Sequence, residues 1–167
     1  MPSTGAVVLV GPMGVGKTTI GKRLAKELRI PFVDTDVLIA KSHGPIPEIF
    51  EKQGEAIFRE IEEDAVLSQL AARAVVATGG GAILSPRTRQ ALAVATVVYL
   101  ATDGRHIANR LTNGNRPLLK NGMSDWRAIY EARKPHYEVV ADITVDTSAI
   151  SLAETVQLIK EQLETDD

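Results

Sequence analysis

The stretch with the most evident chemistry is Gly11–Thr18, GPMGVGKT, which fills every position of the pattern G-x-x-x-x-G-K-[ST]. Glycines in this pattern let the chain curl until successive backbone N–H groups point at one anion. A helix opening near Lys17 adds the positive end of its dipole. Lys17 can reach β- and γ-phosphates, and the Thr18 hydroxyl can ligate Mg2+. A glycine-rich turn with a chance lysine is the plain alternative, but the strand–loop–helix context also fits. Thr19 lies outside the pattern and reads first as a helix residue.

A second group is DTD. Asp34 and Asp36 stand at the carboxyl end of a short apolar strand, the edge where open α/β sheets bind ligands. If the strand runs through Asp36, alternation puts both carboxylates on one face, and a Mg2+–ATP site needs carboxylates there. Asp36 can equally cap the helix that follows. In FREIEED, Arg59 is a candidate ligand-binding cation or a surface partner of Glu63, one turn further on. Glu60, Glu62, Glu63 and Asp64 read as a solvated face. Gly79, Gly80 and Gly81 end a strand and permit close backbone approach to a ligand, or form a plain turn. Arg116 lies in TNGNRPLLKNG (Thr112–Gly122), a stretch that suits a lid carrying a cation to a transferring phosphoryl group; an ordinary exposed arginine is the alternative. Arg133 and Lys134 fall near an expected helix end. His43, His106 and His136 lack metal-ligand spacing and read as surface or loop residues.

These groups need elements to hold them. Ala6–Val10 reads as a buried strand. KTTIGKRLAKEL reads as a helix with Ile20, Leu24 and Leu28 on one face. Pro31–Asp36 reads as a second strand. Asp36 to Leu70 reads as helical but broken at SHGPIP. AVVATGGG and ATVVYLA read as strands three and four. Ser85 and Pro86 read as the cap and first residue of a helix, and another helix is expected from about Asp103 to Leu111. DWRAIYEARKPHYEVV reads as helical as far as Lys134, with a break at Pro135. DITVDT is a fifth strand and SLAETVQLIKEQL a last helix. Strands alternating with helices predict an α/β fold with a parallel sheet covered on both faces.

The 167 residues suit one compact domain. A net charge of −2, from 19 basic and 21 acidic residues, supplies no overall field for nucleic acid or an acidic membrane. The absence of cysteine excludes disulfides, thiolate metal sites and a cysteine nucleophile. No apolar run reaches the roughly 20 residues of a membrane helix, and MPSTGAVVLVG lacks the basic start and cleavage site of a secretory signal. A cytoplasmic location is the expectation by default.

The segments GPMGVGKTTIGKRLA, FVDTD, IPEIFEKQGEAIFREIE, VVATGGG, NRPLL and RKPHYEVVAD, in this order, resemble the shikimate kinase family of the phosphate-loop kinases. The loop alone specifies only the superfamily; DTD, FR, GGG and RP in combination are far more selective. The resemblance implies a three-layer sandwich with a five-stranded parallel sheet flanked by helices. It implies one kinase domain over 1–167, with a shikimate-binding region at about 36–64 and a mobile lid at about 112–124. It also implies transfer of the ATP γ-phosphate to the 3-hydroxyl of shikimate, with Mg2+ as cofactor, in aromatic amino-acid biosynthesis. The implied ATP-binding residues are Gly14, Val15, Gly16, Lys17, Thr18, Thr19, Arg110 and Arg116. Thr18 and, through water, Asp34 serve the metal. Asp36, Arg59, Gly79, Gly80, Gly81 and Arg133 bind shikimate, and Lys17, Asp36 and Arg116 are catalytic. Shikimate and ATP are the implied partners of a monomer that binds neither nucleic acid nor membrane. The rivals are a kinase of the same fold acting on gluconate or a nucleoside monophosphate, and a non-catalytic nucleotide-binding protein.

Overall fold

The computed structural model describes residues 5–110 and 121–165, without the side chains of 109 and 110. Val7–Val10 (β1) is apolar and buried at every position, as a central parallel strand covered on both faces must be. Around it lie β2 (Phe32–Asp34), β3 (Val75–Ala77), β4 (Thr96–Ala101) and β5 (Ile143–Asp146). All pairings are parallel, and the strand order is β2-β3-β1-β4-β5. Asp34 lies opposite Ala77, which lies opposite Leu9. The segments after β1, β2 and β3 therefore leave the sheet at one edge.

Side-chain alternation divides the core into two layers. Leu9, Val75, Val98 and Leu100 face α1 (Lys17–Leu28) and α8 (Leu152–Thr165), packing on Ile20, Leu24 and Ile159. Val8, Val76, Val97 and Tyr99 face the opposite way. They meet Val66 of α4 (Glu55–Leu67), the segment after α5 (Pro86–Ala91), and Trp126, Tyr130 and Tyr137 of α7 (Met123–Val140). The result is the expected three-layer sandwich. A smaller cluster of Ile39, Ile49 and Phe58 ties α2 (Thr35–His43) and α3 (Ile46–Gln53) to α4, apart from the sheet.

Several local expectations are corrected. β2 ends at Asp34, not Asp36, because Asp34 caps α2: its side chain accepts from the N–H groups of Asp36 and Val37. Asp36 therefore stands in the first helical turn and is not the cap. The break at Gly44–Pro45 is present, and a second one falls at Gly54. The helix expected from Asp103 begins only at Ile107, as α6 (Ile107–Arg110), because the Asp103 and Thr102 side chains accept N–H groups of the 102–105 turn. Pro135 does not end α7, which runs to Val140. Glu131, whose carbonyl loses its donor there, and Pro135 both lie on the exposed side, where water can serve that carbonyl. The buried Arg133 and Tyr137 hold the helix on either side of the proline. Ser85 caps α5 as expected, accepting the N–H of Thr88, with Pro86 first in the helix.

Candidate active site

The loop between β1 and α1 depends on Gly14 and Gly16, whose φ values of 82° and 106° suit residues without a β-carbon. Gly16 caps α1 without a side-chain hydrogen bond, and the positive end of the helix suits an incoming anion. Val15 turns its side chain into the core. The Lys17 ammonium folds over the loop and donates to the carbonyls of Gly11 (2.8 Å) and Pro12 (2.9 Å). Thr18 Oγ1 donates to Asp34 Oδ2 at 2.6 Å, while Asp34 Oδ1 accepts the N–H of Asp36 at 2.9 Å. The two residues expected to serve a metal are thus in direct contact. A hydroxyl and a carboxylate side by side are the hard oxygen donors that Mg2+ selects, with phosphate and water completing its shell. Gly14, Gly16, Lys17, Thr18, Thr19 and Asp34 line a cavity of about 270 Å³.

A second cavity of about 440 Å³ lies alongside. One wall is apolar, with Ile46, Phe50 and Phe58; another carries Arg59, Glu62 and Arg133. Met13, Asp36, Gly79 and Gly80 line both cavities. The glycines are there for close approach. A β-carbon on Gly79 would stand 2.9 Å from both Asp36 Oδ1 and Glu62 Oε2, and one on Gly81 would collide with the Arg59 guanidinium. Tyr137 Oη donates to the Gly80 carbonyl at 2.5 Å, fixing the middle of that turn against α7.

The arginines are anchored, but not as the sequence suggested. Arg59 Nη1 donates to Glu62 Oε1 at 2.8 Å, and Arg59 also bonds Glu55, one turn back, at 3.3 Å. Glu63, the partner considered for it, instead accepts from Ser85 and Arg87 across to α5. Glu62 does not belong to a solvated face; its side chain is only 3% exposed. Burial raises its carboxyl above the ordinary value, against the pull of the Arg59 guanidinium. Arg133 is buried, and desolvation holds its pKa below that of a free guanidinium. Glu62 is the site residue that the sequence reading missed. Its signal was available, since Phe58, Glu62 and Val66 follow one another at helical spacing, placing the glutamate in the apolar stripe of α4.

Lys17, Thr18, Thr19, Asp34, Asp36, Arg59, Gly79, Gly80, Gly81 and Arg133 are therefore gathered around two adjoining cavities. Arg116 lies outside the described residues, as do positions 112–120 of the expected lid. Arg110 is the last described residue of α6, with its side chain also outside them. No cluster of three metal-ligating side chains occurs among the described residues.

A phosphate cradle opening onto a separate arginine-lined cavity suits moving a phosphoryl group to a small acceptor, and it places the protein among the phosphate-loop kinases. More narrowly, the chain belongs to the shikimate kinase family, whose sequence model matches residues 13–164. It is 44% identical to a shikimate kinase of Streptomyces coelicolor over 162 residues, 95% of each chain. It is 47% identical to one of Pseudomonas entomophila over 148 residues, 84% of this chain and 86% of the relative. Among solved structures, shikimate kinase from Acinetobacter baumannii in complex with shikimate superposes with a TM-score of 0.91 at 37% identity, covering 99% of this chain and 96% of that one. The family is one of phosphotransferases acting on shikimate.

Proposed function

We propose that the protein transfers the γ-phosphate of ATP to the 3-hydroxyl of shikimate with the residues gathered here. The observation that carries this reading is the wall shared by the two cavities, where Asp36 faces both. The acceptor carboxylate is held by Arg59 and Arg133, since guanidinium forks match a carboxylate. That leaves the hydroxyl end of the ring beside Asp36, which orients the attacking hydroxyl and accepts its proton. Gly79, Gly80 and Gly81 let the acceptor lie close to the backbone. On the donor side, the loop N–H groups of Gly14, Val15 and Gly16 cradle the phosphates, with Thr19 beside them. Lys17 exchanges its two carbonyl partners for phosphate oxygens. Thr18, and Asp34 through water, hold Mg2+, which when bound neutralises phosphate charge. Arg116 reaches the phosphates from the lid and Arg110 flanks the adenine; both assignments rest on the family pattern. Phosphoryl transfer asks chiefly for positioning and charge neutralisation, which these groups supply.

The reading includes a cytoplasmic monomer. No helix of the described residues is long and apolar enough to cross a membrane. The test is a coupled ADP-release assay with shikimate, quinate, gluconate and AMP, with and without Mg2+. Turnover on shikimate that requires Mg2+ is expected, and turnover on gluconate or AMP but none on shikimate would overturn it. Asp36→Asn should lower kcat strongly and spare ADP affinity; an equal loss of ADP affinity would assign Asp36 to the nucleotide side.

A further inference from the structure

Trp126 is the chain's sole tryptophan and stands 113 positions along the chain from the phosphate loop, yet it is bonded to it. Its indole Nε1 donates to the Met13 carbonyl at 2.8 Å. The ring is 1% exposed and tightly held. It packs on Gly104, where a β-carbon would stand 3.0 Å from a ring carbon. The Tyr130 ring lies 5.2 Å away, centroid to centroid, and the Arg127 guanidinium lies 5.6 Å from the ring centroid. A side chain confined on these sides keeps one direction for its N–H.

That direction bears on the next peptide group. A trans peptide points its carbonyl and the following N–H to opposite sides, and the chain has no cis bonds among the described residues. Holding the Met13 carbonyl therefore sets the direction of the Gly14 N–H, and Gly14 lines the phosphate cavity. Gly14 is also the residue least able to resist rotation of that peptide, because glycine tolerates φ of either sign. The bond from Trp126 adds a restraint at this point from outside the loop.

We propose that Trp126 is a positioning residue for the phosphate loop, acting through the Met13 carbonyl to keep the Gly14 N–H aimed at the bound phosphates. The proposal rests on the reading of the loop as the ATP site. The same helix carries Arg133 to the acceptor cavity, so the clamp also joins the two halves of the site by one rigid element.

The experiment compares the wild type with Trp126→Phe, which keeps an aromatic ring and removes the donor. Kd is measured for MgADP and, without nucleotide, for shikimate, alongside KM and kcat. The expected result is a roughly tenfold rise in KM for ATP and in Kd for MgADP, about 1.4 kcal/mol. Shikimate Kd should rise clearly less than MgADP Kd, because Trp126 lines neither cavity and Gly14, whose N–H it aims, lines only the phosphate cavity. Equal weakening of both ligands would mean that Trp126 only supports the fold, and unchanged MgADP affinity would remove the clamp; either overturns the proposal. Should the variant not fold, the wild type supplies the readout. Its single indole N–H resonance should be slow to exchange with solvent and should shift on adding MgADP; a resonance that ignores MgADP overturns the proposal. Wild-type protein that binds no MgADP would instead refute the ATP site itself.

Discussion

Gly79→Ala is expected to slow phosphoryl transfer by about ten- to a hundredfold with little change in MgADP affinity. The added methyl would stand 2.9 Å from Asp36 Oδ1 and from Glu62 Oε2, where ordinary contact begins at 3.4 Å. Both carboxylates are met at that distance, so both must give, by up to about half an ångström each. Glu62 is buried and bonded to Arg59 at 2.8 Å, so Asp36, nearer solvent at the start of α2, moves the more readily. Overpacking of this kind costs about 1–3 kcal/mol. If that cost falls on the reactive arrangement, it corresponds to roughly 5- to 150-fold in rate at 1.4 kcal/mol per decade. Displacement of a positioned group by a fraction of an ångström has an effect of the same order. Steady-state ADP release gives kcat and the shikimate KM, MgADP titration gives the control, and a thermal midpoint shows how much of the cost falls on folding. A variant with wild-type kcat and KM would show that Thr78–Gly81 is a plain turn, and that contact with Asp36 has no bearing on the reaction.

Further substitutions separate the other roles. Arg133→Ala should raise the shikimate KM by about ten- to a hundredfold, the range of a lost charge-assisted hydrogen bond, with a smaller change in kcat; an unchanged KM removes Arg133 from the carboxylate clamp. Asp34→Ala should cost about 0.5–2 kcal/mol of stability by uncapping α2 and also raise the Mg2+ needed for half-maximal rate. Asp34→Asn should keep the cap and show the Mg2+ effect alone, and identical Mg2+ curves for wild type and Asp34→Asn would refute the metal role. Glu62 sets a pH dependence. Its folded carboxyl titrates above the ordinary value of 4.5, so its protonated form favours the fold. That contribution is complete below the unfolded value and is lost as pH rises through the folded one. The stability of wild type relative to Glu62→Gln should therefore fall with pH across that window and level off above it; denaturant midpoints showing no such change would refute the assignment.

The sheet was legible because its strands are short apolar runs between phosphate-loop and glycine punctuation, and the α1 and α8 stripes face a single layer. The phosphate loop was legible for a different reason. Its residues, Gly11–Thr18, are contiguous, so sequence order is spatial order there, whereas Asp34 and the Thr78–Gly80 segment reach the same cavity from other strands. The acceptor cavity draws on α2, α4, the Thr78–Gly81 turn and α7, and only the family pattern joined them in advance. Glu62 was misread because three acidic neighbours made it look like part of a charged surface, whereas helical phase sets which member of such a run turns inward. Pro135 was misread because a rule about the local hydrogen bond was applied without the packing of Arg133 and Tyr137. The Trp126 bond to Met13 left no local trace, since both partners look like ordinary core residues.

The shared wall between the two cavities carries a kinetic consequence. On the proposed function, a site that admits an acceptor hydroxyl to the phosphates also admits water, and Asp36, which lines both cavities, could orient either. Fidelity to the acceptor over hydrolysis must then come from occupancy. A molecule that fills the space between the aromatic panel and the two guanidinium groups leaves no room for solvent at the reacting phosphorus. On the proposed function, the apolar side of the pocket, Ile46, Phe50 and Phe58, would then guard against wasteful loss of ATP as surely as the charged groups opposite.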